Sequence, residues 1–176
     1  PPEARGFTDV WQTHATPQGV LFGTFTHLFR VSAQKVEVWR PATSFHVSFW
    51  TGDRCFIREV GRGLLELSRE ELRPVPGGER FAEEKIYALL PWEGGLLGGT
   101  RTQGLFTFDG AAFRPFPTEA DVALKRDLLY AAVRLRDGRL ALGTVQGGLY
   151  LLDAQGRLAG HLTKTKSALF AKAFQY

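Results

Sequence analysis

The chain has 176 residues, a net charge of +4, 44% hydrophobic and 12% aromatic residues, 20 Gly, 9 Pro and one Cys. It is the size of one domain or of a piece of a larger array and apolar enough for a core, which excludes a disordered chain. The scattered basic residues argue against a nucleic-acid partner, Cys55 alone makes neither an internal disulfide nor a cysteine-built zinc site, and no apolar run is long enough to span a bilayer.

In chain order, the first apolar segments are "FTDVWQT", "GVLFGT", "THLFRV" and "KVEVWRP". Then come "FHVSFWTGD", a run ending at Glu59-Val60, "GRGLLEL" and "ELRPVP". "IYALLPWEGG", a run ending at Gly99-Thr100, "TQGLFTF" and "AFRPFP" follow. The last group is "LLYAAVRLRDG", "RLALGT", "QGGLYLL" and, more weakly, "RLAGHL". All are of strand length, and "DG", "GG", "TGD" and "AQG" supply the positive-φ residues of tight hairpins. Helix competes for "FAEEKIYALL" and "DVALKRDLLYAAV". Their register predicts a loop and then a strand, with a short helical turn left open. The tail "KSALFAKAFQY" reads as either helix or strand.

These groups repeat. A Leu follows the same tight turn in each, at Leu28, Leu64, Leu105 and Leu149, with separations of 36, 41 and 44 residues. Gly23-Thr24, Gly99-Thr100 and Gly143-Thr144 precede three of them, and Glu59-Val60 stands in that place in the second. Four short strands every 40 residues or so are the pattern of a β-propeller blade. Blades bury both faces, so runs such as "GLYLL" and "GLLEL" need not alternate apolar with polar residues. The predicted fold is all-β: a β-propeller of about four blades, each of four antiparallel strands, forming part of a larger propeller. The blades lie near residues 7–41, 45–76, 85–117 and 128–162, and 163–176 begins a further one. A β-sandwich is the competing fold. Because the chain opens on Pro1-Pro2 and contains no Met, it reads as an excised piece or a processed product, completed by sequence outside it or by a second copy.

The stretch "RLALGTVQGGLYLLDAQGRLAGHL", preceded by "LLYAAVRLRDG", resembles the two-component regulator propeller repeat. Nearly the whole chain follows that pattern, best in the third and fourth groups, fairly in "GVLFGTFTHLFRV" and poorly in the second. The Trp that the family places before Gly-Thr is replaced by Leu21, Leu97 and Ala141, and its first-strand Asn is absent. The resemblance implies a ligand-sensing segment of a bacterial signal-transduction receptor, of two-component or cyclase type. It implies a periplasmic or otherwise extracytoplasmic location, with a membrane helix and a kinase, cyclase or transcription-regulator output outside these residues, and a link to carbohydrates.

Catalytic motifs are lacking. His14 and His27 fall near turns and His46 on a strand, and no two of the four His have HExxH spacing. There is no G-x-S-x-G elbow, and Gly94-Gly95, Gly98-Gly99 and Gly147-Gly148 do not precede a helix as a phosphate loop would. Neither enzyme activity nor a metal or other cofactor is expected. In a propeller, the turn between second and third strands shares a face with the link entering the next blade. That places Phe25, Thr26 and His27, Arg62, Arg101, Thr102 and Gln103, and Val145 and Gln146 beside the links "RPATSF", "PGGERFAEEK" and "PTEADVALKRD". His27, Arg62, Arg101, Gln103 and Gln146 are the candidate ligand-binding residues, suited to a small polar ligand, hydroxyl-rich or anionic. A protein-interaction scaffold and a propeller lyase or hydrolase are the alternatives.

Overall fold

The structure, a computed structural model, describes residues 6–7 and 9–163. Among them the fold is all-β, with four antiparallel sheets of four strands. The first sheet comprises β1 (Gln12–Thr16), β2 (Gly19–Gly23), β3 (Leu28–Val31) and β4 (Val36–Trp39). The second has β5 (Phe45–Trp50), β6 (Cys55–Glu59), β7 (Gly63–Ser68) and β8 (Glu71–Pro74). The third has β9 (Ile86–Trp92), β10 (Gly95–Thr100), β11 (Leu105–Phe108) and β12 (Phe113–Phe116). The fourth has β13 (Leu129–Arg134), β14 (Leu140–Thr144), β15 (Leu149–Leu152) and β16 (Leu158–Leu162). In every sheet the strands neighbour one another in chain order. β1 begins at Gln12, later than "FTDVWQT" predicts, and His14 lies within β1 rather than at a turn. The further blade expected at 163–176 falls, Thr163 apart, outside the described residues. A 3-10 turn at Gly78–Phe81 leads towards β9, and a seven-residue helix, α1 (Asp121–Asp127), leads into β13, in the loop where a short helical turn was left open.

The repeated Gly-Thr has a physical cause. Thr100 donates its backbone N–H to the Gly104 carbonyl at 3.0 Å and its hydroxyl to the same oxygen at 3.2 Å. That hydroxyl accepts from Gln103 N at 2.9 Å. Thr24 closes its turn in the same way on His27, and Thr144 on Gly147 and Gly148. One threonine thus satisfies several polar groups of a turn that would otherwise rely on water. The Gly preceding the anchor Leu is equally constrained. Gly148 has φ 86°, and a Cβ there would lie 2.3 Å from the Leu162 carbonyl oxygen.

The chain divides into two compact units, residues 1–86 with 110–112, and residues 87–109 with 113–176. In the first, the face of sheet one carrying Leu21 and Leu28 packs on the face of sheet two carrying Cys55, Ile57 and Leu65. In the second, Leu97 and Leu105 of sheet three pack on Leu140, Leu142, Tyr150 and Leu152 of sheet four, and Ala120 and Leu124 close the end of this core. The Gly of Gly-Thr makes room for the next sheet's first strand. A Cβ on Gly23 would meet Ser48 Oγ of β5 at 3.1 Å, and one on Gly99 would meet Leu129 Cδ2 of β13 at 2.4 Å.

Sheet two departs from this pattern. Arg58 pairs with Leu64 as Gly99 pairs with Leu105. The residues equivalent to Gly-Thr are therefore Arg58-Glu59, one position earlier than sequence alignment places them. Arg58 is 2% exposed and donates to the carbonyls of Phe81, at 2.7 Å, Glu84, at 2.9 Å, and Ala82. Glu59, fully buried, accepts from Ala42 N at 2.6 Å and Thr43 N at 3.3 Å.

Candidate functional site

Antiparallel hairpins place the second-to-third turns and the links between sheets at the same end of the strands. Backbone hydrogen bonds join them. In the first unit Phe45 N donates to the Phe25 carbonyl at 2.8 Å, and Gly61 N to Ala82 O at 3.1 Å. In the second, Val145 N donates to Leu128 O at 3.0 Å.

In the first unit His27 is turned inward. It is 7% exposed, and its ring stacks on Phe29 with centroids 5.2 Å apart. Arg40 Nε donates to His27 Nε2 at 3.1 Å. The proton therefore sits on Nδ1, which donates to Thr26 Oγ1 at 2.8 Å. Burial, and then the positive charge of Arg40, push the His27 pKa below its ordinary value and hold the ring neutral. His27 thus fastens the turn to the link that carries Arg40. Arg62 is half exposed, and its Nη1 donates to Glu59 Oε2 at 2.8 Å, completing the partners of that buried carboxylate. The open surface nearby is aromatic: Trp11, 55% exposed, and Phe25 lie with centroids 4.9 Å apart.

In the second unit Arg101, half buried, donates from Nη1 to the Tyr87 hydroxyl at 2.8 Å, with its guanidinium 5.3 Å from the centre of the Tyr87 ring. Tyr130 packs against Tyr87 at 5.1 Å and is 57% exposed. Tyr87 is the second residue of β9 and Tyr130 the second of β13, so a cation and two phenol rings converge at the strand end where the turns lie. Gln103 is exposed in the adjacent turn. Gln146 is exposed too, but its Nε2 donates to the Arg126 carbonyl of α1 at 2.9 Å. α1 lies by both turns, since a Cβ on Gly104 would meet Asp121 and Lys125 at 3.8 Å.

Asp127 fastens α1 to sheet four. It is 4% exposed, accepts from Arg126 at 2.7 and 2.9 Å, and accepts from the Tyr150 hydroxyl at 2.5 Å. The Arg126 guanidinium holds its carboxyl down at about 2. Tyr150 stacks on His161 at 4.1 Å, and His161 Nε2 donates to Gly147 O at 2.7 Å. His27, Arg62, Arg101, Gln146 and Asp127 each have a hydrogen-bond partner within the fold.

A second feature of the first unit, a cleft of about 630 Å³ at the opposite strand end, has no counterpart among the sequence-based expectations. Leu21, Trp50, Cys55 and Leu67 form its apolar part, and Arg30, Asp53 and Arg69 its polar rim. Neither His27 nor Arg62 lines it. Its walls come from three separate hairpins, so no local motif marks it. Arg69 adopts φ 57° at the tip of the β7–β8 hairpin, a conformation that costs a non-glycine residue free energy. Arg30 binds Glu37 through both carboxylate oxygens, at 2.6 and 2.8 Å, and holds it at about 2. Burial pushes the Cys55 thiol up to about 12, which leaves it protonated and unreactive near neutral pH.

Among the described residues no group of three or more His, Cys, Asp or Glu is placed to hold a metal ion, and no helix is long and apolar enough to cross a membrane. No protein-family model matches the chain, and no curated protein matches it.

Proposed function

We propose that the chain is a β-propeller segment whose four sheets are successive blades, and that it binds a small polar ligand on behalf of a signalling receptor without catalysing a reaction itself. The propeller reading is supported by the chain-order strands of each sheet and by the face-on-face packing of consecutive sheets within both units. The ligand reading is carried by one observation, the convergence of Arg101, Tyr87 and Tyr130. An exposed phenol ring offers a flat apolar face for stacking, and a guanidinium beside it offers directed donors. Together they fit a ring-bearing, hydroxyl-rich or anionic molecule, with a saccharide as the first class to test. Gln103 lies within the same turn as Arg101 and adds an amide. An extracytoplasmic location follows from the family resemblance, and the output module belongs to sequence outside these residues.

A thermal-shift screen of neutral and acidic mono- and oligosaccharides against the 176-residue chain tests this. A saturable rise in Tm with one sugar class, abolished in Tyr130→Ala, is the expected result. A screen without a shift, or a shift unchanged in both Tyr130→Ala and Arg101→Ala, removes the ligand reading from this end of the strands.

A further inference from the structure

Each unit packs its two sheets in the same sense. The face bearing the Gly of Gly-Thr meets the opposite face of the following sheet, and that Gly receives its first strand. Sheet four carries the same device at Gly143. There, among the described residues, a Cβ would meet only Ala131 of its own sheet, no closer than 3.8 Å. On this face, Val133, Ala141 and Leu151 form one cross-strand row and Ala131 and Leu149 lie in the next, none of them charged. Val133 is 52% exposed. Sheet one presents the complementary face, the one that does not bear its Gly-Thr glycine. Its rows Ala15–Val20–Val31–Val36 and Thr13–Phe22–Phe29–Val38 carry no charge, and Val20, Val31 and Val36 are 37%, 39% and 39% exposed. Phe7 lies against Phe29, with ring centroids 5.0 Å apart.

The other face of sheet one, which packs on sheet two, carries His14, Arg30 and Glu37 among its apolar residues. The two uncharged faces are of the opposite kind. Their rows carry only uncharged residues, and exposed apolar rows of this sort mark interaction surfaces.

We propose that copies of this chain associate head to tail, the sheet-four face of one docking on the sheet-one face of another, with Gly143 receiving the partner copy's first strand as Gly23 and Gly99 receive theirs. Three observations choose a second copy as the occupant. The complementary face exists on the same chain. The packing sense required is the one seen twice within it. Neither face offers a charge to recruit a polar partner. Such a contact is heterologous, so each copy keeps one face available until a ring closes or a filament grows. The inference rests on sheet packing, and a failed ligand screen leaves it untouched.

Sedimentation velocity across the micromolar range tests it, using the full 176-residue chain and two variants, each blocking one face. Gly143→Leu fills the receiving position on sheet four, where the space around the Cβ is open. Val31→Lys places a charge in the middle of the sheet-one face at an exposed position. Far-ultraviolet circular dichroism verifies that both retain the β signal of the parent. A variant that loses that signal is replaced by Val133→Lys or Val36→Lys on the same face. The parent chain should associate with rising concentration, each variant alone should sediment as a monomer, and a 1:1 mixture of the two should form a dimer, because each still offers one intact face. A parent chain that stays monomeric throughout overturns the proposal, as when another segment of the chain covers the faces. So does self-association of either variant alone, which would mean that like faces pair.

Discussion

Arg58 Nε donates to the Phe81 carbonyl at 2.7 Å, so that a buried guanidinium in sheet two organises the 3-10 turn leading towards β9. Where the other sheets have glycine, this side chain fills the space and satisfies carbonyls of the link from Phe81 to Glu84. Arg58→Leu keeps much of the volume but removes every donor, leaving those acceptors without their charged partner. The expected loss is about 3 kcal/mol, the range for a buried, charge-assisted network. Arg58→Lys should recover little, because an ammonium cannot span the carbonyls as a planar fork does. Urea denaturation at neutral pH measures both.

The threonine turns allow a graded comparison. Thr100 is 2% exposed and Thr144 is partly exposed, yet their hydroxyls make equivalent hydrogen bonds. Valine matches threonine in shape and lacks the hydroxyl. Thr100→Val should cost about 1–2 kcal/mol, because it leaves buried turn groups unsatisfied, and Thr144→Val less, because water can replace the lost partner. The difference between their denaturation midpoints checks the order, and equal losses would show that burial does not govern the effect.

Acid should unfold the protein in two stages. His14 and His27 have pKa values lowered by burial, so the unfolded chain takes up their protons first, and stability declines as pH falls below 6.5. Glu37 and Asp127, each held by an arginine at about 2, lie below their ordinary values of 4.5 and 3.8. Their contribution is complete above those ordinary values and is lost as pH falls towards about 2. Denaturation midpoints at neutral pH, pH about 5 and pH about 3 should therefore fall in that order. Asp127→Asn should flatten the lower step, since its amide does not titrate and cannot pair with Arg126 as a carboxylate does.

Much of the sheet pattern was legible because it depends on local chemistry. Leu28, Leu105 and Leu149 open β3, β11 and β15, and Leu64 is the second residue of β7. Tight turns need glycine and threonine at fixed offsets, and those offsets survive in sequence. Arg58 was hidden because its role depends on carbonyls at least 23 residues away. α1 falls in the loop where a short helical turn was left open, and burial of Leu124 and the Asp127–Tyr150 bond stabilise it as a seven-residue helix. His27 was expected to face a ligand, and the turn gave no sign that Arg40 would hold it inside. The Tyr87–Tyr130 pair was missed for a related reason, since residues near the starts of strands in different sheets meet only once the sheets stack.

The most direct test of the proposed function is titration calorimetry of the sugar that gives the largest thermal shift, on the parent chain and on Arg101→Ala, Tyr130→Ala and Arg69→Ala. At about a hundredfold excess over Kd, one site should stabilise the fold by about 2.7 kcal/mol. Arg101→Ala and Tyr130→Ala should each weaken binding at least about tenfold, the equivalent of about 1.4 kcal/mol. Arg69→Ala, in the cleft at the other strand end, should bind as the parent does. Loss of binding in Arg69→Ala with full binding in the other two would contradict the proposal and place the ligand in the cleft.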